Sequence, residues 1–389
     1  MRVLFCASPG VGHVEPMMPL LRAFVQRGSN VAWAGAVESH ARARALGVQR
    51  CFAVGSSSAE TRAEYDRRWP LSANTVGPAS DPLVFPRRFG ALLAPAMLDP
   101  LVQAIQAWAP ALVISELGVL AAPLACKLTD CVQVTHGFGM PPTAALLEQA
   151  AAAFAESWHT RTSGPPPPEA GLFSHLYLDI YPPGLQTAER LRTTRCQGLQ
   201  PCIPQRDGDV RLPGTLASRF VELSNWPLVY LTFGTVVNQS RALVMAAKAL
   251  VGLQARVVVT VGSNGNTHLM EPQPANIHVA RFIAQSELLP HCDLVVSHGG
   301  SGTFLATLAH GLPQLVMPQG ADQFINASAL EVSGAGLALR GDDIDADGIR
   351  DSVQRLLQDP GYRNQAANLA DQIAAMPSAE DVATRLKRL

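Results

Sequence analysis

One local design occurs twice in this chain, and it restricts the fold more than any other feature. Near the start, the apolar run at residues 3–7 enters a glycine-rich turn at 8–13. Apolar residues at helical spacing follow over 16–27, with Gly28 ending the helix. Far downstream, the run at 294–297 enters His298-Gly299-Gly300, and a helical pattern over 301–310 is closed by Gly311. A short, continuous apolar run bounded by turn signals reads as a strand buried on both faces, the kind found in parallel sheets covered by helices. Further runs at 31–36, 112–115, 131–135, 228–233, 256–261 and 314–317 alternate with helical segments, which predicts βαβ units.

With 389 residues the chain exceeds one ordinary domain and fits two. Residues 196–214 carry proline and charge without periodicity and read as a connection between them. The expected division is a first domain over 1–205, a linker over 206–220, a second domain over 221–376 and a terminal helix over 377–389. Two further breaker-rich stretches, 74–95 and 160–171, are either solvated loops or mobile loops over a binding site. In open parallel sheets ligands sit at the carboxyl ends of strands, where both glycine-rich turns fall.

Composition bounds the partners. Apolar residues make up 48% and charged residues 16%, enough to build a large core and too apolar for a disordered chain. The 30 basic and 31 acidic side chains leave a net charge of −1, so no global field is available for nucleic acid or an anionic membrane. The 7 cysteines are scattered and never spaced C-x-x-C, which argues against a disulfide framework or structural zinc. Neither a signal peptide nor a membrane span is expected, and the expected location is cytoplasmic.

An anion must therefore be held by local geometry, and Ser297-His298-Gly299-Gly300-Ser301-Gly302-Thr303 supplies it. Glycines let backbone amides approach closely, and a helix start adds unpaired donors and partial positive charge. Ser301, Thr303 and His298 add side-chain donors. This pattern suits a diphosphate without lysine or metal; the bland alternative is a tight strand–helix turn with a hydroxyl cap. Other motifs fail. Asp343-Ile-Asp345-Ala-Asp347-Gly348 opens like a calcium loop but has Gln354 at position twelve, and Asp345-Ala-Asp347 reads as a helix cap rather than a metal-binding pair. Gly10-Val11-Gly12 has Glu15 where a dinucleotide fingerprint needs its third glycine.

Phe282-Ile283-Ala284-Gln285, the glycine motif starting at His298, residues 311–318, and Ala321-Asp322-Gln323 with Asn326 together resemble the donor-binding signature of family-one glycosyltransferases. These are GT-B enzymes that use nucleotide-activated sugars without metal. The likeness is to actinobacterial members that glycosylate natural products, and Gly10-Val11-Gly12-His13 with Pro16 resembles their catalytic turn. The resemblance runs through nearly the whole chain in order. It implies two Rossmann-like, doubly wound parallel-sheet domains facing across a cleft. The first would hold an apolar acceptor and the second a nucleotide sugar, with no resident cofactor, and the terminal helix would pack back on the first domain. A homodimer is compatible with it.

Carried over by residue, the resemblance implies that Phe282 stacks on the nucleobase while Ile283 backbone groups bond its edge. It gives the diphosphate to His298, Gly300, Ser301, Gly302 and Thr303, with Thr235 reaching the same phosphates. Asp322 and Gln323 would meet sugar hydroxyls, although Asp322 by itself reads equally as a helix cap. UDP-sugar enzymes of the family commonly carry a glutamate eight residues after the motif histidine; here that position is Ala306, which favours a dTDP-linked deoxysugar. His13 is the candidate base for the acceptor hydroxyl. Glu116 stands where the family places an acidic partner, more often aspartate. His136 and Phe138 follow another strand end, and His136 is either an acceptor contact or a core residue. The reading that results is an inverting glycosyltransferase. A UDP-glucose transferase and a sugar-nucleotide 2-epimerase of the same fold are the alternative enzymes, with a non-catalytic nucleotide-sugar binder and a dehydrogenase behind them.

Overall fold

The computed structural model describes residues 1–70, 84–186, 195–203, 213–234, 241–262, 265–268 and 271–388. The chain divides into two compact units. The first comprises Met1–Tyr181, Thr187–Cys202 and Met376–Leu389; the second comprises Pro182–Gln186 and Ile203–Ala375.

The first unit is built on a seven-stranded sheet of β1 (Arg2–Cys6), β2 (Asn30–Gly35), β3 (Arg50–Ala53), β4 (Leu112–Glu116), β5 (Val132–His136), β6 (Leu176–Asp179) and β7 (Cys196–Gly198). Their spatial order is β3-β2-β1-β4-β5-β6-β7, and every pairing is parallel. The second unit carries β8 (Leu228–Thr232), β9 (Arg256–Thr260), β10 (Ile277–Ala280), β11 (Leu294–Ser297), β12 (Gln314–Val316) and β13 (Gly336–Ala338) in the order β10-β9-β8-β11-β12-β13, again wholly parallel. Both are doubly wound: the order runs one way from the first strand and then reverses, so each sheet has one switch point. It lies between β1 and β4 in the first sheet and between β8 and β11 in the second. Burial on both faces explains why these strands read as unbroken apolar runs: β4 and β8 are buried at all five residues.

Three differences from the sequence reading have physical causes. Residues 214–219 of the expected linker form the helix Gly214–Arg219, because Leu216 and Phe220 bury against Leu228, Tyr230 and Val258 in the second unit's core. Residues 206–212 lie outside the described residues. The expected loop at 74–95 is described from residue 84, and there it is helical. A π-helical turn, Pro86–Leu93, leads into the helix Ala94–Trp108. Phe85, Phe89, Leu93, Met97, Leu101 and Ile105 recur every fourth residue and are all buried. The wide π turn lets that spacing stay on one face, and Pro86 and Pro95 sit in first turns where a missing amide costs nothing. By length and composition Pro86–Trp108 would suffice to cross a membrane, but it is half buried and packs in the first unit's core. Lastly, Pro165–Pro168 line a cavity of about 640 Å³ with Lys127, Asp130 and Val132 at the amino end of β5, so they do not cover the carboxyl end that carries His136. The terminal helix Ala379–Leu386 packs on the helix Met18–Gln26, and Lys387 Nζ donates to the Arg27 carbonyl at 2.8 Å.

Candidate active site

At the first switch point, β1 leads into a turn where Gly10 takes φ 123°, a conformation open to glycine, and begins the short helix Val11–Val14. That helix presents His13. Glu116 is the last residue of the adjacent strand β4. Its carboxylate is fully buried; Oε1 accepts from the Ser8 amide at 2.9 Å and Oε2 from the Gly118 amide at 2.6 Å. A Cβ on Gly118 would meet the Phe89 ring at 2.9 Å, so only glycine lets this amide approach. His13 Nδ1 stands 3.3 Å from Glu116 Oε1, an ion-pair distance, with the N–H direction short of good hydrogen-bond geometry. Burial would raise the Glu116 pKa, but the nearby His13 and the bonds from the Ser8 and Gly118 amides together hold it below the ordinary carboxylate value. Glu116 is therefore an anion near pH 7, and it favours the His13 tautomer protonated on Nδ1 with Nε2 left as a base.

Two rings flank the imidazole. Phe138 lies 4.3 Å away and Phe89 5.4 Å away, centroid to centroid. Phe89 was missed from sequence because it falls in the stretch read as a loop; its signal was the every-fourth-residue apolar repeat. His136 ends β5 but is fully buried, its Nδ1 donates to the Gly137 carbonyl at 2.6 Å, and burial pushes its pKa down to about 4. Of the two roles held open for it, this is the core one: no surface of His136 is exposed to meet an acceptor.

At the second switch point, β8 leads into a turn containing Gly234, and β11 ends at Ser297, just before His298. Thr235 lies outside the described residues. His298 stacks on Phe233 at 6.0 Å, and burial pushes its pKa down to about 4, so it is neutral near pH 7. A Cβ on Gly300 would meet His298 Nε2 at 2.6 Å; the imidazole and the turn fit together only with glycine there. The helix Ser301–Ala309 begins with no side-chain cap, so the first-turn amides of Gly302 and Thr303 have no helical acceptor.

The hydroxyls differ from expectation. Ser301 Oγ donates to Asp322 Oδ2, and Asn326 Nδ2 donates to the Gly299 carbonyl at 2.8 Å, tying the glycine turn to the loop that follows β12. Thr303 Oγ1 accepts from Gln285 Nε2 at 2.9 Å. Gln323 Oε1 accepts from the Gln319 and Gly320 amides at 2.8 and 3.0 Å, so this oxygen braces the loop instead of facing a sugar. Asp322 heads the helix Gln323–Ser333 without capping it through its side chain. Ala321 just before it adopts φ 54°, a left-handed conformation that costs a non-glycine residue roughly 1–2 kcal/mol. Phe282 is 75% exposed, whereas Ile283 packs against the core and Ala306 is fully buried beside Phe220 and Tyr230. Among the described residues no group of three or more His, Cys, Asp or Glu is placed to hold a metal ion.

Comparison with known proteins identifies the family and fold. Residues 243–389 match the family described as erythromycin biosynthesis protein CIII-like, C-terminal domain. Elloramycin glycosyltransferase ElmGT of Streptomyces olivaceus is 30% identical over 393 residues, spanning 99% of this chain and 97% of that protein. L-demethylnoviosyl transferase of Streptomyces niveus is 30% identical over 396 residues with the same coverage. Among solved structures, spinosyn rhamnosyltransferase SpnG superposes with a TM-score of 0.79 at 26% identity over 100% of both chains. Two parallel doubly wound sheets, a histidine turn at one switch point, a glycine cradle at the other and full-length likeness converge: the chain belongs to the GT-B glycosyltransferases of actinobacterial antibiotic biosynthesis.

Proposed function

We propose that the chain transfers a sugar, with inversion, from a dTDP-activated donor to a hydroxyl of an apolar natural-product aglycone, and that the sugar is a deoxysugar. The observation that carries this reading is the His13–Glu116 pair, 3.3 Å apart at the first switch point. With Nδ1 beside a buried carboxylate, Nε2 is the nitrogen left to take the acceptor proton, and Glu116 stabilises the imidazolium that forms. The oxygen attacks the anomeric carbon, the C–O bond to the diphosphate breaks, and the leaving charge falls on amides aimed by the glycine turn. This reading needs no resident cofactor, because the nucleotide sugar is a substrate.

Support for the donor comes from two sides. SpnG has been solved with thymidine diphosphate and with spinosyn aglycone. Ala306 offers no carboxylate to a ribose diol, as expected for a deoxyribonucleotide, and exposed Phe282 offers a ring to a base. Because Ala306 is fully buried, Ala306→Glu would bury a charge and destabilise the fold. The donor is therefore better tested on the wild-type chain with thymidine, uridine and guanosine diphosphates, by the rise in Tm each produces. Thymidine diphosphate should give the largest rise. His13→Ala should lower kcat about 10²–10⁴-fold while leaving that rise unchanged. Turnover surviving in His13→Ala would defeat the proposed mechanism, and a larger rise with uridine diphosphate would defeat the donor assignment.

A further inference from the structure

One charged group beside His13 is left unused by the transfer just described. The π-helical turn Pro86–Leu93 carries Phe89, which packs on the His13 ring, and the preceding residue Arg88. The Arg88 guanidinium carbon lies 5.6 Å over the Phe89 ring, the same ring that packs on His13. Arg88 has no ion-pair partner among the described residues, and its Nε is buried without a hydrogen bond. Its neighbours on the helix Ser58–Arg68 are all matched: Arg62 with Asp66, and Arg67 and Arg68 with Glu64. That helix packs on the π turn, and it contributes two more buried atoms without partners, Thr61 Oγ1 and Tyr65 Oη. Burial lowers the Arg88 pKa and Arg62 adds to that, against the pull of Glu116 and Tyr65; even so, arginine does not give up its proton. A largely buried guanidinium without a counterion is costly and is satisfied by a ligand that brings the charge.

We propose that Arg88 sets acceptor specificity: its guanidinium takes the one carboxylate or enolate group of an otherwise apolar acceptor while a hydroxyl of the same molecule faces His13. The assignment rests on the glycosyl-transfer reading. Guanidinium is the fitting group, since its planar fork pairs with two oxygens at once and holds its charge under burial. Because Arg88 and His13 both pack on Phe89, an acceptor with a hydroxyl and an acidic oxygen on one rigid aromatic body is the fitting probe. An acceptor lacking that oxygen leaves the cation unpaired and is rejected for that reason.

The probes are 7-hydroxycoumarin-3-carboxylic acid and its ethyl ester, titrated by fluorescence without donor. The wild-type chain should bind the acid at least tenfold more tightly than the ester. Arg88→Met should abolish that preference, and Arg88→Lys should keep part of it. Arg88→Met should also melt at or above the wild-type temperature, because it removes an unpaired charge; a structural ion pair would move Tm down. Equal binding of the two probes by the wild type, binding of neither, or a preference that survives Arg88→Met overturns the proposal. So does a tenfold loss of thymidine diphosphate affinity in Arg88→Met, which would give Arg88 to the donor. Failure of the wild type to bind thymidine diphosphate would count against the transfer reading, and the acid–ester ratio, measured without donor, would still decide the role of Arg88.

Discussion

The two switch points share strand order and chain direction, and each places a histidine just after a strand, yet they treat charge in opposite ways. At the first, a buried carboxylate accepts from two backbone amides and is set beside His13, so a full charge is held next to a group that can take a proton. At the second, His298 is kept neutral by burial, and amides of a glycine turn and a helix start supply fixed dipoles in place of ions. Under the proposed function, the same Rossmann-like frame yields a proton-handling end and an anion-holding end. What separates them is the residue that ends the neighbouring switch-point strand: Glu116 on β4, and Thr232 on β8.

The sharpest way to break this contrast is Glu116→Gln. The amide keeps the shape but places a donor against the Ser8 or Gly118 amide and removes the charge beside His13. kcat should fall roughly 10²–10³-fold with thymidine diphosphate affinity held, and the acid limb of the pH–rate profile should shift. Unchanged kcat would reduce Glu116 to a structural brace. Acid is a second probe. His136 and His298 titrate near 4 when folded and near 6.5 when unfolded, so the unfolded chain binds more protons between those values. Stability is full above pH 6.5 and falls towards pH 4, by at most about 3 kcal/mol for each histidine. Glu116, depressed in the folded state, adds a further loss below its ordinary value near 4.5. Denaturant titrations of His298→Gln and of His136→Gln should each show a shallower decline than the wild type; an unaltered slope in both would mean neither histidine is held neutral by burial.

Gly302→Val tests the anion-holding end alone. A Cβ there meets nothing within 4 Å, so the fold should tolerate it, while a branched side chain in the first turn should crowd an anion bound on its amides. Thymidine diphosphate affinity should drop about tenfold or more by calorimetry with Tm within a degree or two, and intact affinity would move the diphosphate elsewhere. The smallest effect is expected from Phe282→Ala. Stability should change by less than about 0.5 kcal/mol because the ring is exposed, and nucleotide binding should weaken by roughly 1–3 kcal/mol, the usual worth of one base stack. Affinity unaltered by this change would remove Phe282 from the donor site.

Much of this was legible in the chain because it is local. The apolar runs at 3–7 and 294–297, the glycines after them and the helical spacing beyond are set by backbone conformation and period, which a few neighbouring residues decide. They were enough to predict parallel sheets and the positions of both turns. Other features depend on partners distant in sequence. Glu116 and His13 meet because β1 and β4 pair in register, Cys6 against Ser115. Ser301 is tied to Asp322 because the loop after β12 returns to the glycine turn. Burial decided the state of His136 and His298, and neither residue's neighbours in sequence reveal it. The π turn at Pro86–Leu93 was hidden by Pro86 and the neighbouring Pro95, and with it Phe89 and Arg88. Sequence by itself located eight of the thirteen described strands and both glycine-rich turns, since those follow from side-chain size and backbone freedom. Only the tertiary structure decided which groups carry charge and which hydroxyls are already bonded, because desolvation and pairing are set by atoms brought together across the sheets.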